Sequence, residues 1–77
     1  MKTNEFLSLL EETLEMTEGS LSISTNLKNL EEYDSLAVLS IIAMIDENFG
    51  KSLSAQDFTN VTDVASLIEK IGKEHFE

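Results

Sequence analysis

The sequence predicts an all-α fold: a small bundle of three main helices plus a short fourth, with a long loop between helices one and two. Three observations carry this expectation. Three stretches place apolar residues at helical spacing. No stretch sustains the alternation of a half-buried strand, and the 77-residue chain contains no proline. Its apolar fraction of 42% is that of a globular chain rather than a disordered one. One domain over residues 1–77 is expected, near the lower limit for a core without disulfide or metal support.

The first helix is predicted over Asn4–Met16. Phe6, Leu7, Leu10 and Leu14 fall on one stripe, and Glu5, Glu11, Glu12 and Glu15 lie largely elsewhere. Thr3 or Asn4 is the expected cap, and Glu18-Gly19-Ser20 the expected stop. From Ser20 to Asp34 the helical period disappears. Leu21, Ile23, Leu27 and Leu30 are scattered among serine, threonine and asparagine, which compete with helix by bonding nearby backbone. This is read as a long loop pinned to the core by those four side chains. A loop of such length suggests a functional role.

The second helix is predicted over Ser35–Asn48, closed by Gly50. Val38, Leu39, Ile42, Ile45 and Phe49 form its expected core stripe. Leu36, Ala37, Ile41, Ala43 and Met44 nevertheless cover most of the remaining surface, so the helix is apolar nearly all round. Leu36 and Met44 are therefore candidates for an exposed contact patch; the alternative is that they fill the core. Ser54–Asp57 is expected to form one or two turns. The last helix is predicted over Thr62–Ile71, capped by Thr62 and closed by Gly72, with Val64, Leu67, Ile68 and Ile71 inward. The expected core is Phe6, Leu10, Leu14, Leu27, Val38, Ile42, Ile45, Phe49, Val64, Leu67 and Ile68.

Asp34-Ser35-Leu36 is the most informative stretch. Asp34 suits a helix cap, because its carboxylate accepts the free amides of a first turn. Ser35 then stands at the positive end of a helix, where a covalently attached phosphate is electrostatically favoured.

With 15 acidic against 5 basic residues, the net charge is −10. Such a surface repels nucleic acid and anionic membranes and steers toward basic protein patches; the same charge also serves plain solubility. There is no cysteine, hence no disulfide and no thiolate metal site. No signal-peptide pattern is visible, and no apolar run approaches the ~18 residues of a membrane span. A cytoplasmic monomer that neither enters a membrane nor binds nucleic acid is expected.

Catalysis is not expected. Ser35 as a nucleophile would need a base, and the one histidine, His75, lies in a polar tail where it is expected to be solvated. Asp46 and Glu47 are adjacent on a helix and diverge by about 100°, so they do not converge on one ion. Asp57 and Asp63 lack the spacing of a calcium loop.

Asp34-Ser35-Leu36 at a helix start, Asp46-Glu47-Asn48-Phe49 at its end and Val61-Thr62-Asp63-Val64 opening the last helix together resemble the acyl carrier protein family. The resemblance covers most of the chain. It implies an acyl-carrier-like bundle in which Ser35 receives a 4′-phosphopantetheine arm from coenzyme A through a phosphopantetheinyl transferase. The arm would hold acyl or aminoacyl cargo as a thioester. The resemblance also implies that Asp34 presents the serine, and that Leu36 lies beside the arm and touches partners. Those partners would be acyl- or aminoacyl-loading and -accepting enzymes with basic docking patches. Tyr33, Leu36, Ala37, Ser40, Met44, Asp46 and Glu47 make up the expected partner surface.

Departures from the family pattern matter. Glu32-Tyr33 stands where small residues are usual; Tyr33 either packs over the arm's exit, meets a partner ring or anchors the loop. Ala37 and Ser40 stand where housekeeping fatty-acid carriers commonly have acids, each worth about 0.5–1 kcal/mol or less in an exposed pair. A carrier serving one specialised acyl pathway is therefore favoured over the central fatty-acid carrier. The alternative is a small acidic helical adaptor with Ser35 unmodified.

Overall fold

The structure is a computed structural model and describes residues 1–76. The expected architecture is present. Helix α1 spans Thr3–Thr13, α2 spans Ser35–Phe49 and α3 spans Val64–Ile71. A 3₁₀ helix over Ala55–Asn60 is the short fourth, and shorter 3₁₀ turns occupy Leu27–Asn29 and Lys73–His75. Helix α1 packs on α2, and the Ala55–Asn60 segment packs on both α2 and α3.

Helix α1 is shorter than its periodicity suggests. Its N-cap is Lys2, not Thr3 or Asn4, and the Glu5 carboxylate accepts the Lys2 amide at 3.0 Å. It stops well before Glu18-Gly19-Ser20. The Met16 amide reaches back to the Glu11 carbonyl (2.8 Å) and the Glu15 amide to that of Glu12 (3.1 Å), with Glu15 left-handed at φ 59°. This is the bonding pattern of a Schellman stop, with glutamate where glycine is usual. A stop formed without glycine leaves little trace in a sequence.

The long loop is fastened mainly through its backbone. The Ile23 and Thr25 carbonyls accept the Ala65 and Val64 amides (2.9 and 3.1 Å), and the Leu27 amide donates to Thr62 (2.8 Å). The Ile23 side chain is exposed, so its carbonyl and not its side chain ties the loop. Leu21 and Leu27 are buried as expected. Thr62 does not cap α3. Asp63 does, accepting the Ser66 amide at 2.9 Å, because the Thr62 carbonyl is committed to the loop.

The core corrects the face assigned to α2. Ile41, Met44 and Ile45 are buried, Val38, Ile42 and Phe49 only half-buried, and Leu39 is 57% exposed. The buried face is turned toward Ile41 and Met44. A helix apolar on all sides gives periodicity little with which to choose. Leu21, Phe58, Val61 and Ile71 join the core, whereas Ile68 stays half-buried.

The far end of α2 is closed by rings. Phe6 and Phe76 meet edge-on at 5.2 Å, Phe6 and Phe49 at 6.0 Å. His75 is not a solvated tail residue. It is half-buried with its ring 5.6 Å from Phe49, and its carbonyl accepts the N-terminal ammonium at 2.9 Å. Gly50, at φ 65°, ends α2 in the left-handed conformation that glycine adopts without penalty. This stitched end lies roughly 20 Å along α2 from Ser35. Among the described residues, no helix is long and apolar enough to cross a membrane.

Candidate functional site

The N-termini of α2 and α3 begin alike and are completed differently. Each is capped by an aspartate; Asp34 Oδ1 accepts the Ala37 amide at 2.8 Å. In α3 the first two amides, of Val64 and Ala65, bond to loop carbonyls. In α2 the corresponding amides, of Ser35 and Leu36, have no acceptor among the described residues. Two free amides and the positive end of a 15-residue helix therefore surround the exposed Ser35. This is a setting that favours an anion on the serine oxygen.

Two depressions flank Ser35. On one side is a groove of about 470 Å³, lined by Tyr33, Ser35, Val38, Leu39, Phe58 and the Lys28–Thr59 pair, among others. Lys28 Nζ donates to the Thr59 carbonyl at 3.1 Å, strapping the loop to the 3₁₀ helix. On the other side is a hollow of about 340 Å³ between the end of α1 and the start of α2. Glu15, Glu32 and Asp34 line it together with Leu36, Ala37 and Ser40. Tyr33 is half-buried, and burial pushes its phenol above the ordinary value.

The residues expected to meet partners differ in exposure. Leu36 is 74% exposed, and Ser40, Asp46 and Glu47 are exposed along α2, while Ala37 is half-buried. Met44 is only 8% exposed and packs in the core, so it is not part of an accessible patch. This position resolves in favour of methionine as core filler. Leu39 takes its place as the second exposed large apolar residue of α2, one turn from Leu36. The sequence assigned Leu39 to the core, and its only signal was a helix with more apolar surface than a small bundle can bury. Glu15 reaches the hollow through the early stop of α1, which nothing local announces, and Glu32 from the turn just before α2.

The exposed serine, the free amides and the adjoining groove fit a covalently held phosphopantetheine, which when attached supplies a thiol able to hold an acyl group as a thioester. The Asp34 carboxylate is spent on Ala37 and leaves the Ser35 and Leu36 amides free. No curated protein and no solved structure gave a significant match to the chain. The profile of the family described as phosphopantetheine attachment site matches residues 4–71, spanning all three helices and the site. The chain thus belongs to the phosphopantetheine-attachment family of carrier proteins, which bear 4′-phosphopantetheine covalently.

Proposed function

We propose that Ser35 is the residue that bears the arm and that the chain carries acyl or aminoacyl cargo between enzymes without catalysing a reaction itself. The observation that carries this reading is the open N-terminus of α2, with an exposed serine and two unpaired amides, beside the closed N-terminus of α3. In the transfer, the Ser35 oxygen would form a bond to the pantetheine-bearing phosphorus of coenzyme A as the phosphoanhydride bond breaks. Adenosine 3′,5′-bisphosphate would depart, and the serine proton would pass to a base of the transferase. Asp34 would keep the serine presented by fixing the first turn.

Partners in this reading are a phosphopantetheinyl transferase and acyl-handling enzymes with basic patches, attracted by the net charge of −10. They would meet an apolar centre of Leu36 and Leu39, flanked by Tyr33 and by the acids of the hollow, with Asp46 and Glu47 further along α2. The uncharged Ala37 and Ser40 favour a dedicated acyl pathway over the central fatty-acid one. The protein would work as a cytoplasmic monomer.

Tryptic mapping of the modified chain tests the site. The peptide from Asn29 to Lys51 contains two serines, Ser35 and Ser40, and no internal lysine or arginine. Fragmentation placing the phosphopantetheine on Ser35 is expected. Its appearance on Ser40, or a chain that no transferase modifies, would overturn the assignment, the latter in favour of an acidic adaptor.

A further inference from the structure

The groove beside Ser35 is walled by one residue whose polar atom nothing satisfies. The Tyr33 hydroxyl is closed off from solvent, and no hydrogen-bond partner reaches it among the described residues. Folded proteins leave few buried polar atoms in this state, because each forfeits its bonds to water. The rest of the groove wall is mainly hydrocarbon, from Val38, Leu39, Ala55 and Phe58. Of its other polar groups, Ser35 is the proposed point of attachment, Lys28 is exposed to water with Nζ donating to the Thr59 carbonyl, and the Thr59 hydroxyl donates to the Gln56 carbonyl at 2.8 Å. Burial keeps the phenol protonated well above neutral pH, so it is a hydrogen-bond donor.

We infer that this groove binds oxygenated acyl cargo tethered through Ser35, with the Tyr33 hydroxyl donating a hydrogen bond to an oxo or hydroxyl oxygen of the chain. The inference rests on the reading of Ser35 as the attachment residue. A plain alkyl chain satisfies the hydrocarbon wall and leaves the phenol unmet, whereas an oxygen-bearing chain satisfies both. A free polar molecule would gain little from so shallow a groove. A tethered chain is held beside it at high effective concentration, because Ser35 lines the same wall. The hydroxyl is covered in the free groove, so a chain reaches it as side chains of the wall shift, and the exposed Leu39 has room to do so.

Tyr33 is the chain's single tyrosine and there is no tryptophan, so near-ultraviolet absorbance reports on this phenol above the weak phenylalanine bands. The full chain and its Tyr33→Phe variant are loaded from coenzyme A, hexanoyl-coenzyme A and 3-oxohexanoyl-coenzyme A, with loading read by intact mass. Three results are expected. The unmodified Tyr33→Phe chain melts no lower than the parent, because the lost hydroxyl had no partner. The tyrosine band moves to longer wavelength in the 3-oxohexanoyl form and not in the hexanoyl or unacylated forms. Transfer of the 3-oxohexanoyl group to an added small thiol, read by intact mass, is about fivefold faster from Tyr33→Phe than from the parent, the factor one neutral hydrogen bond supplies, while the hexanoyl rates agree.

An equal ratio for both cargoes would overturn the oxygen preference. A band shift already present with the unacylated arm would give the hydroxyl to an amide of the arm and overturn the cargo assignment. A lower melting point for the unmodified Tyr33→Phe chain would mean that the hydroxyl is already satisfied, which also overturns it. A chain that gains no mass overturns the Ser35 reading itself, whereas one that loads and shows equal ratios overturns the Tyr33 inference alone.

Discussion

Glu11 is the one buried charged side chain among the described residues, at 4% exposure, and it accepts the Leu21 amide at 2.9 Å. It fixes the start of the loop to α1. Glu11→Ala would leave a buried amide unpaired and is expected to cost about 2 kcal/mol in urea unfolding, with Glu11→Gln costing less because it keeps an acceptor. Equal losses in the two variants would contradict this role. At the scale of single residues, the Asp34 cap and the start of α2 at Ser35 were legible because a cap acts on its own neighbours. Glu11 was read as one of several outward acids, since its partner ten residues away is set only when the loop folds back. Leu39 and Met44 exchanged their expected places for a related reason: the direction each faces depends on what packs against α2.

Among the elements, capping aspartates carry a pH dependence. The Ser66 amide and hydroxyl hold the Asp63 carboxyl below its ordinary value, and the Ser54 amide does the same for Asp57. A carboxyl depressed in the folded state stabilises above its unfolded value and loses that contribution as pH falls through the folded value. The parent should therefore melt above Asp63→Ala by a full margin at about pH 5 and higher, and by a shrinking margin as pH drops toward about 3. Asp63→Asn should retain much of the cap while losing its pH dependence. A margin constant over that range would contradict the assignment. Helix count and order were legible from spacing, and the Ser35 start and Gly50 stop of α2 from local chemistry. The stop of α1 was not, because glutamate stands where glycine would announce it, and neither was the α3 cap, because the loop claims the Thr62 carbonyl.

Across the whole molecule, the side-chain contacts are asymmetric. The Phe49 end is stitched by aromatic contacts and by the N-terminal ammonium, while the Ser35 end presents free amides, a groove and exposed leucines. The net charge of −10 works against compactness. Raising salt from about 10 mM to several hundred millimolar should raise the melting temperature, since screening weakens the repulsion. A melting temperature flat across that range would contradict this. The all-α bundle was legible from composition and spacing, but the pairing of an open α2 with a closed α3 arises only when the loop and the helices meet. The central claim is that this open end presents Ser35 for modification. Intact mass after incubation with coenzyme A and a broad-specificity phosphopantetheinyl transferase tests it most directly, with Ser35→Ala alongside. The account predicts the gain of one phosphopantetheine in the parent and none in the variant; a gain in both, or in neither across a range of transferases, would contradict it.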